Sequence, residues 1–262
     1  MPYVHNDNAI IYYETHGEGA PIVFAHGAGG NTLVWWQQIA HFARDYKVVV
    51  FDHRGWGRSK CEKQHKHARH FAGDMRAVMD DAGVERAAIV CQSMGGWTGM
   101  QFTLAHPDRV SCLVLSGTPG GVTTPGVIAA RDARAKSRTI DLDRPIAWNE
   151  PHLALAPDAF DNDSAMAFLY RQMSGLNPPI GDTGTGEIGV SPDALGDYAI
   201  PTLMVAGAQD RIFPLAVLKE VSQVIPGAQL HIVETAGHSP YFECAEEFNR
   251  VVGDFIGEHG NY

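Results

Sequence analysis

Short apolar runs alternate along this chain with stretches in which apolar residues recur every three or four positions. The runs are Pro21-Ile22-Val23-Phe24-Ala25, Val48-Val49-Val50-Phe51, Ala87-Ala88-Ile89-Val90, Cys112-Leu113-Val114-Leu115, Thr202-Leu203-Met204-Val205-Ala206 and Leu230-His231-Ile232-Val233. Each predicts a strand, and together they predict a sheet covered on both faces. Between them lie helical stripes: Trp35, Ile39 and Phe42; Phe71, Met75, Val78 and Met79; Trp97, Met100 and Leu104; and, near the end, Phe248, Val251, Val252, Phe255 and Ile256. Such spacing puts the apolar groups on one helix face. Ile10 to Tyr13 reads as an additional early strand closed by the turn His16-Gly17-Glu18-Gly19. Strands alternating with amphipathic helices predict an α/β fold: a mainly parallel sheet with helices on both faces.

The rhythm stops after Ser116-Gly117-Thr118-Pro119-Gly120-Gly121 and resumes only at Thr202. The intervening segment holds Pro125, Pro145, Pro151, Pro157, Pro178, Pro179 and Pro192, which cut it into short pieces. Its best helix runs from about Asp163 to Gly175, with Met166, Leu169, Tyr170 and Met173 on one stripe. Residues 121–198 are therefore expected to form an inserted helical cap, between core portions 1–120 and 199–262.

With 262 residues, 45% apolar and 19% charged, the chain suits one globular domain with a large core. A formal net charge of −10 argues against nucleic acid or an anionic membrane as the main partner. No apolar run approaches the ~20 residues of a membrane helix. The N-terminal residues lack signal-peptide patterning. Cys61, Cys91, Cys112 and Cys244 are scattered without metal-ligand spacing. A reduced, cytoplasmic protein acting on a small molecule is the expectation.

The most informative stretch is Cys91-Gln92-Ser93-Met94-Gly95-Gly96, at the junction of a buried strand and a helix. A serine there, with Gly two residues later, describes a nucleophile elbow. Gly95 relieves the clash behind the serine, while Cys91 stands where a second glycine is usual. A serine hydroxyl needs a base, and the base needs a group that fixes its tautomer. Asp210 follows the strand Thr202 to Ala206, and His238 follows Leu230 to Val233. All three therefore sit past strand C-termini, the rim where open α/β sheets bind ligands. Their chain order is Ser, Asp, His.

Over nearly its whole length the chain resembles the α/β-hydrolase family. The resemblance rests on His26-Gly27-Ala28-Gly29-Gly30, Asp52-His53-Arg54-Gly55-Trp56-Gly57-Arg58-Ser59, the elbow, Gly207-Ala208-Gln209-Asp210 and Ala236-Gly237-His238. It is nearest to the smaller lid-bearing members: enol-lactonases, carboxylesterases and cofactor-free perhydrolase-like enzymes. The resemblance implies that the backbone N–H groups of Ala28 and Met94 form an oxyanion hole. Some members carry the acid after the strand that follows the elbow helix. Here that place is Ser116-Gly117-Thr118, without a carboxylate, which leaves Asp210.

Other residues have plainer readings. His65, His67 and His70 suggest a metal cluster but fit a solvated loop. Asp52 and Arg54 are expected to brace a loop, and His26 to fix the oxyanion loop; His53 is left open. Trp35, Trp36 and Trp97 read mostly as core, with Trp35 or Trp36 a candidate pocket wall. Met166, Leu169, Tyr170 and Met173 are candidate pocket residues from the cap. The expected activity is hydrolysis of a small to medium, largely apolar ester or lactone, with no metal or organic cofactor. Carbon–carbon hydrolysis of a meta-cleavage-type diketone and perhydrolysis use the same triad and remain open, as does a non-catalytic ligand-binding protein on this fold. Oligomeric state is not legible.

Overall fold

The computed structural model describes residues 2–137, 148–150, 152–177 and 183–260. Its strands are β1 (Tyr3–Asn6), β2 (Ala9–His16), β3 (Ala20–Ala25), β4 (Tyr46–Phe51), β5 (Lys60–Cys61), β6 (Ala87–Gln92), β7 (Val110–Ser116), β8 (Thr202–Gly207) and β9 (Gln229–Val233). They form one sheet in the order β1-β2-β4-β3-β6-β7-β8-β9, with β5 paired to β2. From β4 to β9 every pairing is parallel; β1, β2 and β5 pair antiparallel.

Residues of β6, β7 and β8 are buried throughout. That follows from their continuous apolar runs, since helices cover both faces of the sheet. The main helices of the core are α1 (Trp36–Phe42), α2 (Phe71–Asp81) and α3 (Gly95–Ala105). Between β7 and β8 lie α4 (Pro125–Ser137), α5 (Ala159–Asn162) and α6 (Ser164–Gly175). After β8 come α7 (Leu215–Val224), α8 (Pro240–Glu243) and α9 (Ala245–His259). Val23 and Ala25 point to one face, with Met75, Val78 and Phe102 of α2 and α3 and Val221 of α7. Ile22 and Phe24 point to the other, with Phe42 of α1 and Phe248 and Val252 of α9. This period of two along each strand assigns alternate residues to two separate cores.

The helix expected from about Asp163 is α6, and the Asp163 side chain caps it by accepting from the Met166 amide at 2.9 Å. Among the described residues between β7 and β8, strand-like pairing is limited to a bridge between Val122 and Val190. Pro145, Pro151, Pro178 and Pro179 lie outside the described residues. No helix among those described is long and apolar enough to cross a membrane.

Candidate active site

The loops after β3, β4, β6, β7, β8 and β9 meet at one rim of the sheet. Ser93, directly after β6, has φ +48°, in the left-handed region that only a tight turn imposes on a side-chain-bearing residue. Its amide donates to the Ser116 carbonyl at 3.0 Å, and its own carbonyl accepts from the Gly96 amide at 2.8 Å. A Cβ at Gly95 would strike the Ala25 carbonyl oxygen, and one at Gly27 would lie 2.8 Å from the Ser93 Cβ. The absence of side chains at these two positions lets β6 turn sharply into α3 and brings the loop after β3 against Ser93. Cys91 stands where a glycine is usual because α3 yields instead: the side-chain space of Gly99 is occupied by the Cys91 Sγ. Burial pushes that thiol far up, so it is a small apolar filler and no competing nucleophile.

Asp210 and His238, separated by 28 positions, meet in the interior. Asp210 Oδ2 lies 2.9 Å from His238 Nδ1, and both side chains are almost wholly buried. Asp210 Oδ1 accepts from the amides of Ile212 at 2.7 Å and Phe213 at 3.0 Å, which orients the carboxylate. A carboxylate at Nδ1 selects the tautomer with the proton there and leaves the lone pair on Nε2. The His238 carbonyl accepts from Gln92 Nε2 at 3.3 Å, so the residue before Ser93 also holds the histidine loop. Gly117 is needed beside it, because a Cβ there would lie 3.2 Å from His238 Nδ1 and 2.5 Å from its carbonyl oxygen.

The loop after β3 is fixed from below. His26 Nδ1 lies 2.7 Å from the Gly27 carbonyl, so it is the donor, and His26 Nε2 accepts from the His53 amide at 2.9 Å. His53 Nε2 in turn lies 2.8 Å from Thr98 Oγ1 on α3. Both rings are fully buried, and burial holds both imidazoles below their free value, that of His53 well below it. Trp56 Nε1 donates to the Ala28 carbonyl at 2.8 Å. Met94 is buried just ahead of the first turn of α3, where N–H groups lack intrahelical partners and the helix dipole favours an anion. Asp52 accepts from the Thr32 amide at 2.6 Å and the Arg58 amide at 2.7 Å, while Arg54 makes a two-pronged, fully buried pair with Asp74. Both residues brace loops, as expected.

The model of the alpha/beta hydrolase fold family matches residues 20–155 and 130–245. The chain belongs to the alpha/beta hydrolase family. A protein named "Putative carbamate hydrolase RutD" from Azorhizobium caulinodans is 29% identical over 98% of this chain and 99% of its own length. A 2-hydroxy-6-oxononadienedioate/2-hydroxy-6-oxononatrienedioate hydrolase from Cupriavidus pinatubonensis is 29% identical over 94% of this chain and 90% of its own. Among solved structures, Est816, described as an N-acyl homoserine lactone degrading enzyme, superposes with a TM-score of 0.77 at 28% identity, covering 97% of this chain and 100% of that one.

In this alpha/beta hydrolase the candidate pocket residues scatter. Trp35 is fully buried in the core, 5.0 Å from Phe24 and 4.6 Å from Tyr241 between ring centroids. Trp36, by contrast, is exposed. Leu169 is on the exposed side of α6. Met166 lines a cavity of about 330 Å³ with Leu155, Ala156, Glu243 and Cys244; Ser93 is not among its lining residues. Tyr170 and Met173 touch the rim loops, Tyr170 through its hydroxyl and Met173 through its carbonyl. The Tyr170 hydroxyl accepts from Ser239 Oγ at 3.2 Å, and Met173 is half-buried against the core. His65, His67 and His70 do not converge: His67 pairs with Glu187 and His70 with Asp7. No group of metal-ligating side chains is found among the described residues.

Four residues at this rim carried no sequence signal. Asn177 donates to the Gly29 carbonyl at 3.1 Å and accepts from Asn31 Nδ2 at 3.2 Å, and Asn31 also donates to the Met173 carbonyl at 3.3 Å. Together the two asparagines tie the end of α6 to the loop after β3. His152 packs on Tyr170, with ring centroids 5.1 Å apart; burial, with Arg171, Arg211 and His238 nearby, holds it at about 4. Glu243 is the fourth. Its oxygens accept three backbone amides around His238 and the segment before α5.

Proposed function

We propose that this alpha/beta hydrolase is a serine hydrolase that cleaves a small to medium, largely apolar carboxylic ester or lactone through an acyl-enzyme. The observation that carries this reading is the buried Asp210–His238 pair on the same strand-end rim as Ser93, whose backbone is held left-handed. The Ser93 hydroxyl attacks the carbonyl carbon while its proton moves to His238 Nε2. Asp210 keeps the Nδ1 proton in place and stabilises the imidazolium. The amides of Ala28 and Met94 receive the oxyanion. Collapse of the tetrahedral intermediate expels the alcohol, which takes the proton from His238. Water, deprotonated by His238, then releases the acid. This chemistry needs no metal or organic cofactor. Residues 121–198 act in this reading as a helical cap, its α6 end anchored over the loop after β3 by Asn31 and Asn177.

A second reading has its own support. Relatives named as dienedioate and trienedioate hydrolases match over 94% of this chain, which favours carbon–carbon hydrolysis of a diketone by the same residues. A panel of p-nitrophenyl esters, lactones and meta-cleavage diketones against purified protein separates the two. Turnover of esters or lactones alone supports the first, and preferential turnover of diketones replaces it with the second. Inertness toward all three, with no burst on p-nitrophenyl acetate, would leave a ligand-binding protein.

A further inference from the structure

The His238 loop is held by a carboxylate that the mechanism above does not use. Glu243, at the end of α8, accepts from the Gly237 amide at 3.0 Å and the Ser239 amide at 3.2 Å through Oε1, one on each side of His238. Its Oε2 accepts from the Ala156 amide at 2.6 Å, across 87 positions of chain. The two segments touch directly there, since a Cβ at Gly237 would collide with the backbone of Leu155 and Ala156. Among the described residues no Lys or Arg forms an ion pair with Glu243. Burial pushes its carboxyl up, while the amides of Ala156, Gly237 and Ser239 and the neighbouring His238 act the other way. Glu243 is half-buried and lines the cavity beside Met166, and its two oxygens meet three backbone amides.

We propose that Glu243 is a positioning residue for His238: it clamps the backbone on both sides of the histidine, locks that loop to the segment at Ala156, and sets a second negative charge beside the imidazole. Asp210 fixes the ring, and Glu243 fixes the chain that carries it. The inference rests on His238 being the base of the proposed hydrolase. The groups around the imidazole are Asp210 from the loop after β8, Glu243 from α8 and His152 from the segment before α5, with Arg171 and Arg211 beside His152. Glutamine at 243 can still accept the Gly237 and Ser239 amides through its one carbonyl oxygen. It sets an NH₂ against the Ala156 amide, however, and removes the charge.

The test compares wild type, Glu243→Gln, Glu243→Asp and Glu243→Ala at a temperature where each is folded by circular dichroism. The kcat and KM for p-nitrophenyl acetate and the rate of fluorophosphonate labelling of Ser93 are measured for each. Misplacing a catalytic group by a fraction of an ångström to an ångström costs up to about 10²-fold. Glu243→Gln is therefore expected to lose about 10- to 100-fold in kcat and in labelling rate, with KM within about twofold. Glu243→Asp, which keeps a carboxylate, should recover part of that loss. Variants that melt earlier yet keep the wild-type kcat and labelling rate would overturn the proposal and leave Glu243 a structural strut. Wild-type protein that neither turns over the ester nor takes label on Ser93 would overturn the hydrolase reading itself, and this inference with it.

Discussion

At the scale of single residues, the left-handed backbone of Ser93 and the buried carboxylate on His238 Nδ1 assign different tasks to the two ends of the proposed relay. Ser93→Ala should abolish fluorophosphonate labelling and reduce turnover by several orders of magnitude, on the order of the losses seen when a triad nucleophile is removed. Undiminished labelling of that variant would move the nucleophile elsewhere. Asp210→Asn presents an amide where the carboxylate now accepts from His238 Nδ1, and favours the opposite tautomer. The Ile212 and Phe213 amides can still be met by the remaining carbonyl oxygen, so the fold should survive while turnover falls on the order of 10⁴-fold. Near-normal activity with an unchanged melting curve would remove Asp210 from the relay. The small residues around Ser93 are legible in the sequence, because a tight strand-to-helix turn demands them at recognisable positions. Cys91 was the irregular one, and its reason lies in Gly99, which makes the room from the helix side.

At the scale of elements, α6 shows what periodicity can and cannot say. Its length and its Asp163 cap follow from local sequence, since a helix start needs an acceptor for its first amides. Which side of it faces the rim does not follow, because an apolar stripe specifies a face and not the neighbour it covers. Leu169, on the predicted stripe, is exposed, whereas Met173 sits half-buried next to the Asn31–Asn177 contacts. Met173→Ala should therefore shift preference among acyl chain lengths, by ~1–3 kcal/mol per methylene-sized change in pocket fit, while leaving p-nitrophenyl acetate turnover nearly unchanged. Leu169→Ala should move neither profile nor stability by more than about 0.5 kcal/mol. A comparison of kcat/KM across acetate, butyrate and octanoate esters reads both, and identical profiles for wild type and Met173→Ala would exclude Met173 from the substrate pocket. The edge strands β1 and β5 carry no sequence signal for the complementary reason: an exposed, mostly polar edge strand lacks the apolar run that marks β3, β4 and β6 to β9.

At the scale of the whole molecule, buried histidines make stability depend on pH. Burial holds His26 and His53 below the free value of 6.5, and His152 sits at about 4. The unfolded chain takes up these protons as pH falls through about 6.5, and the folded chain does not. Their contribution is therefore complete above pH 6.5 and is lost as pH falls, in the case of His152 between 6.5 and about 4. At pH 5, unfolding of His152→Gln should take up about one proton fewer than unfolding of wild type, read from the slope of urea-unfolding free energy against pH. Equal slopes would mean that His152 is not held neutral by the fold. The sequence alone determined the layered α/β architecture, the buried central strands, and the placing of Ser93, Asp210 and His238 past strand ends. Each of those is written in contiguous residues, as a run, a turn or a cap. Only the tertiary structure decided that Asp210 reaches His238, that Asn177 holds Gly29, that His152 sits beside the histidine, and that Glu243 joins the His238 loop to Ala156. These contacts join residues tens of positions apart, where no periodicity in the chain records which segments will pack together.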